Sequence, residues 1–140
     1  MIERDYILRI LQEFFDAISK IIRRKEEGED DFTAIQKRFD EVYRQFFRSA
    51  PNYFYENDKE TILEKIEDES YSERETEARL TMLSELLYQD ALIKPDVVQR
   101  CDLLSKVLYL LEYFDGRSRT FSWEREQRKT EIRKLLRITN

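Results

Sequence analysis

The stretch Pro95–Asp115, PDVVQRCDLLSKVLYLLEYFD, carries apolar residues on nearly every side of a helical wheel and decides how the rest of the chain is read. Val97, Cys101, Leu104, Leu108 and Leu111 follow the 4, 3, 4, 3 spacing of one helical stripe. Leu103, Val107, Leu110 and Phe114 form a second stripe beside it. One stripe suits a surface helix, whereas two adjoining stripes need neighbours on both flanks. Pro95 suits a first helical turn, where its missing N–H costs nothing, and Gly116 suits the residue just past the end. This predicts a central helix near 96–115, with Leu104, Val107, Leu108 and Leu111 nearly fully buried and the other helices packed around it.

The chain has 140 residues, which makes residues 1–140 a single domain able to bury roughly two-thirds of its unfolded surface without staples. Two Gly and two Pro, with 39% charged and 41% hydrophobic residues, is the composition of long helices joined by short connections. The fold class is therefore all-α. Cys101 lies in the most apolar segment and reads as a small buried hydrophobe, since reactive thiols need an exposed, electropositive setting. A lone cysteine also fits a reducing compartment. The opening Met1-Ile2-Glu3-Arg4-Asp5-Tyr6 is charged where a signal peptide needs an apolar core, and no run reaches bilayer-spanning length. The expectation is a cytoplasmic protein with no membrane segment.

Taken in order, the first helix should start at Ile2 or Asp5 and reach Glu27. Ile7, Leu11, Phe14, Ile18 and Ile21 lie on one face, with Tyr6, Ile10, Phe15 and Ile22 beside them. Arg23, Arg24 and Lys25 fall in its last turn, where cations complement the helix dipole, and Gly28 is placed to end it. Glu29, Asp30 and Asp31 then open a second helix bearing Phe32, Ile35, Phe39, Val42 and Phe46, paired with the first as a hairpin. It should end by about Ala50, because Pro51 disfavours α geometry in the residue before it. Tyr53, Phe54 and Tyr55 follow in a loop, and such rings are expected to fold back over a helix end.

Asn57 or Asp58 can cap a short third helix with Ile62, Leu63 and Ile66. Ser72 with Glu75 has capping-box spacing, so a fourth helix should run from there through Leu80, Leu83, Leu87 and Ala91 to near Ile93, antiparallel to the central one. Ser118, Thr120 or Ser122 caps a last helix that turns apolar only at Ile132, Leu135, Leu136 and Ile138. The count is about six helices. Acidic residues dominate from Glu56 to Glu77 and basic ones from Arg117 onward, so these segments are placed to attract one another.

The chain contains no histidine, which removes the usual general base, the usual metal ligand and every Ser-His or Cys-His nucleophile arrangement. One cysteine cannot build a structural zinc site. Two isolated glycines cannot form a dinucleotide fingerprint or a phosphate loop. No cofactor and no metal is expected. Glu60 with Glu64, or Glu64 with Asp68, share a helix face at i, i+4 and could hold a hard cation or work as acid and base, but nothing near them in sequence would desolvate them. They read as a solvated face.

Arg117, Arg119, Arg125, Arg128 and Lys129, with Phe121 and Trp123 among them, supply the charge and rings of a nucleic-acid surface. That use requires the cations to face solvent together. Nucleic acid is the disfavoured partner, because net charge is −5 and Glu124, Glu126 and Glu131 interrupt the run.

Arg4-Asp5-Tyr6-Ile7-Leu8-Arg9-Ile10, the Gly28-bounded hairpin, and Leu86-Leu87-Tyr88-Gln89-Asp90-Ala91-Leu92 ahead of the long apolar helix resemble an uncharacterised family of small bacterial all-helical proteins that open with a DYI-x-R motif. The resemblance implies a right-handed stack of helix hairpins like tetratricopeptide repeats, and no catalytic residues. The repeat consensus itself is matched poorly. Gly28, Ala34, Ile35 and Phe39 echo its Gly and Ala positions one residue out of register, and Asp96 stands where a small residue belongs.

Together these readings describe a non-enzymatic helical scaffold or adaptor that binds a protein or peptide partner, with a homo-oligomer compatible. The alternatives are a nucleic-acid binder through the basic C-terminal helix and a carboxylate-based ion binder. Stacked hairpins leave a concave side. Tyr43, Phe47, Tyr88, Tyr109 and Tyr113, aromatics at the edges of the apolar stripes, are the candidate partner-binding residues. For that role at least three of the five must be partly exposed and line one groove.

Overall fold

A computed structural model describes residues 2–139, with side chains over 3–137; the side chain of Ile138 lies outside that range. Among the described residues seven helices follow one another: α1 (Ile2–Glu26), α2 (Phe32–Phe47), α3 (Pro51–Glu56), α4 (Lys59–Glu69), α5 (Glu73–Ile93), α6 (Val97–Arg117) and α7 (Trp123–Thr139). Among the described residues there is no strand, and the all-α class stands.

Local chemistry sets most of the boundaries. Gly28 adopts φ +95°, and its N–H reaches the Lys25 carbonyl at 3.1 Å while Glu29 N–H reaches that of Arg24 at 3.0 Å. This paired closure satisfies orphan carbonyls of the last α1 turn and needs a residue without Cβ strain at position 28. Asp31, Asp58, Ser72 and Asp96 cap α2, α4, α5 and α6 through side-chain oxygens. Ser122 Oγ accepts from Arg125 N–H at the start of α7.

Three boundaries differ from the sequence reading. Pro51 does not merely follow a helix: it occupies the first turn of α3, which turns the expected aromatic loop into a seventh helix. Pro95 precedes the Asp96 cap instead of opening α6. Gly116 lies inside α6, which ends at Arg117 with Ser118 as cap, because the neighbouring backbone continues helically and no left-handed residue is needed.

Packing shifts the centre by one helix. α6 pairs with α5 as an antiparallel hairpin and also contacts α4 and α7, but α5 packs against α1, α2, α4 and α6. Leu80, Met82, Leu83, Leu86, Leu87 and Ala91 of α5 are all buried. On α6, Leu103, Leu104, Val107, Leu110 and Leu111 are buried as the double stripe requires. Leu108 and Cys101 are only partly buried, and Val97 and Val98 are exposed. The first turn of α6 leaves Val97 and Val98 uncovered, Cys101 is partly covered, and full burial begins at Leu103.

Phe54 is fully buried against Tyr43 and Phe47, with ring centroids 5.5 and 5.9 Å apart, so the aromatic triplet does fold back onto the core. Lys106 on α6 is buried and donates to the carbonyls of Phe54 and Tyr55 at 3.0 and 3.1 Å, a cation on the negative end of α3.

Candidate interaction groove

The five aromatics do not share a surface. Tyr43, Phe47 and Tyr88 are buried, and only Tyr109 and Tyr113 are partly exposed, so the groove expected from them does not form. The reason is that the rings serve three different packing contacts: Tyr43 and Phe47 meet Phe54, Tyr88 meets α7, and Tyr109 and Tyr113 meet Lys59 and Glu67 of α4.

Tyr43 belongs to a closed polar cluster around Asp90, which is fully buried. Asp90 Oδ2 accepts from Tyr43 Oη at 2.6 Å and Tyr55 Oη at 2.5 Å, and Oδ1 accepts from Gln36 Nε2 at 3.4 Å. Lys94 Nζ lies 2.9 Å from Oδ1 and also donates to Tyr55 Oη at 2.9 Å and to Gln36 Oε1. Burial, then the Asp90 carboxylate, pushes the Tyr43 and Tyr55 phenols well above their ordinary range. Every donor on the Lys94 ammonium has an acceptor, which is the condition for holding an ion pair in a core. The cluster ties α2, α3 and α5 in one register.

Tyr88 docks α7. Its hydroxyl donates to Glu131 at 3.0 Å, and the Arg128 guanidinium lies 3.7 Å from its ring centroid. Burial and the Glu131 hydrogen bond together raise the Tyr88 phenol to about 12, against the opposing charge of Arg128. Tyr113 donates to Glu67 at 2.7 Å, and Lys59 sits over the Tyr109 ring at 5.1 Å; these two contacts join α6 to α4.

The basic residues are likewise engaged. Arg125 and Lys129 flank Asp115 at 2.6 and 2.5 Å, Arg128 meets Glu85 at 2.6 Å, and Arg117 lies 3.5 Å from Glu73 and 4.0 Å from Glu67. Burial alone would raise the Asp115 carboxyl and lower the Lys129 ammonium, but their mutual contacts reverse both directions. Of the five cations only Arg119 is exposed, so the set is not presented to solvent together. Phe121 and Trp123 are exposed, in a depression bounded by Glu126, Glu131 and Lys134, an acidic setting for stacking rings. Among the described residues Arg117 alone forms ion pairs between the acidic and basic segments. Among the described residues no group of three His, Cys, Asp or Glu is placed to hold a metal ion.

What remains open is a groove along α5 between α1 and the α6–α7 pair. Two adjoining depressions that share Thr81 and Phe114 form it. One wall is the outer stripe of α1, with Leu8 53% exposed, Leu11 partly buried and Phe15 38% exposed. The floor is Ala78, Thr81, Ser84 and Glu85 of α5. The far wall is Leu111 and Phe114, topped by Arg125, whose guanidinium lies 4.1 Å from the Phe114 ring centroid. Ser84 Oγ, buried in that floor, has no hydrogen-bond partner among the described residues.

A narrower cleft of about 160 Å³ lies on the other flank of α1, against about 360 Å³ for the wider half of the groove. Its buried Glu75 is already paired with Arg79 at 3.0 Å. Sequence reasoning missed the groove because Leu8 belongs to neither apolar stripe of α1. An off-stripe leucine flanked by Leu11 and Phe15 was the available signal.

The chain matches no family model, no curated protein and no solved structure. No helix of the described residues is long and apolar enough to cross a membrane.

Proposed function

We propose that the chain is a cytoplasmic, non-catalytic helical adaptor, its hairpins stacked in the manner of tetratricopeptide repeats, that holds a protein partner in the α1–α5–α6 groove. The carrying observation is the apolar wall of α1, with Leu8 and Phe15 exposed and Leu11 partly so, facing the more deeply buried Leu111 and Phe114. A soluble domain that leaves large apolar side chains clustered along one groove, with charges at its rim, has the arrangement of a recognition surface. The closed cluster around Asp90 has its polar atoms mutually satisfied, so it supports a structural role and not a reactive one.

The nucleic-acid reading loses its support where Arg117, Arg125, Arg128 and Lys129 pair with carboxylates of their own chain. Site-specific photo-crosslinking in the host tests the proposal. A photoreactive residue at Leu8 should capture a discrete partner, one at exposed Glu64 should not, and Thr81→Arg, which fills the groove from an exposed position, should abolish the Leu8 product. Equal capture from both positions would reject the groove.

A further inference from the structure

We infer that the occupant of this groove is an amphipathic α-helix of about three turns that carries carboxylates at the end lying over Arg4 and Arg74. The inference rests on the groove being a partner site and adds what kind of partner it takes.

Length comes first. The α5 side of the groove runs from Arg74 to Glu85, eleven residue steps or roughly 16 Å at about 1.5 Å per step, which about three turns of a second helix would match. Backbone chemistry then selects the conformation. All three walls are helices whose amides and carbonyls are paired internally, so among the described residues the groove offers no strand edge for an extended peptide. A helix arrives with its own backbone satisfied and needs only side-chain contact. The α1 wall presents Leu8, Leu11 and Phe15 at 3, 4 spacing, the periodicity that an apolar i, i+3, i+7 stripe would mesh with.

Charge fixes the orientation. At the far end Arg125 and Arg128 are already neutralised by Asp115 and Glu85. At the near end Arg4 and Arg74 are both exposed, and neither takes part in an ion pair among the described residues. Glu77 lines the groove beside them and Glu3 lies at its rim, held there by a hydrogen bond from Ser72, while exposed Glu124 leaves the opposite end, where Arg125 and Arg128 are paired, negative. A docking helix therefore gains from acidic side chains over Arg4 and Arg74 and gains nothing from them at the Glu124 end.

The test uses two fluorescein-labelled helical peptides with the same apolar i, i+3, i+7 stripe, one opening with two Glu and the other with two Lys at those positions, titrated into the full chain by anisotropy. The Glu peptide should bind at least tenfold more tightly than the Lys peptide. Arg4→Glu with Arg74→Glu should reverse that preference, and Thr81→Arg should abolish binding of both. All three positions are exposed, and circular dichroism confirms that the variants remain folded. Equal affinity for the two peptides, or a preference unmoved by the charge reversal, overturns the inference. If neither peptide binds while the Leu8 crosslink still finds its partner, the helical occupant is wrong and the groove stands; if both fail, the groove itself is rejected.

Discussion

At the scale of single residues, the position that sets the core is Asp90. In the sequence it is one acid among many on a long helix, and nothing local distinguishes it. Its partners Gln36, Tyr43 and Tyr55 lie 54, 47 and 35 residues away, so the cluster exists only once α2, α3 and α5 have met. Removing either Asp90 or Lys94 leaves the other as an unpaired buried charge. Asp90→Asn strands Lys94 and should cost about 3–5 kcal/mol in urea unfolding, with Lys94→Met comparable. The double variant should cost clearly less than the sum of the two, because the second change removes the charge stranded by the first. Strict additivity would mean that the pair is not coupled. The same cluster predicts an alkaline limit. The fold keeps protons on Tyr43 and Tyr55 that an unfolded chain releases near pH 10, so the stability these phenols retain below that value falls as pH rises past it. Tyr43→Phe with Tyr55→Phe should flatten the decline between about pH 10 and 11.

At the scale of elements, helix ends were largely legible and helix docking was not. Gly28, Asp31, Ser72 and Ser122 act where turn and cap chemistry places them, because those effects reach only a few residues along the chain. Pro51 was ambiguous for a physical reason: it disfavours helix in the residue before it and suits the first turn of a helix that it opens, and only the burial of Phe54 decides between these. The docking of α7 could not be read, since among its described residues only Ile132 is fully buried, Leu135 and Leu136 are partly buried against the core, and the other contacts include charge pairs. That dependence is testable by pH. The folded Asp115 carboxyl titrates below its unfolded value, so its contribution is present above about pH 4 and disappears as pH falls through the depressed value. The amide protection factors of α7, which take the slower intrinsic exchange in acid into account, should therefore fall as pH is lowered while those of α5 are retained. Asp115→Asn should produce the same loosening at neutral pH, worth about 1–2 kcal/mol because the site is partly solvated. Unchanged protection in α7 would place its docking on Ile132 and its apolar neighbours instead.

At the scale of the whole molecule, the all-α class and the α1–α2 and α5–α6 hairpins follow from periodicity and short connections, but the centre of the fold does not. Hydrophobic stripes rank α6 first because its leucines and valines are continuous. α5 intersperses its leucines with Thr76, Ala78, Ser84 and Ala91, and these small residues are buried because they let four neighbouring helices approach closely. A scale that counts apolar side chains undervalues a helix whose role is to be approached. Mutational cost separates the two centres. Leu83 on α5 is fully buried, so Leu83→Ala should cost about 2–5 kcal/mol in chemical denaturation. Leu108 sits on the main stripe of α6 but is only partly buried, and Leu108→Ala should cost less than about 2 kcal/mol, since part of its surface never leaves water and the cavity can open to solvent. A central α6 would make Leu108 at least as costly as Leu83. That order of effects would return the centre of the molecule to α6.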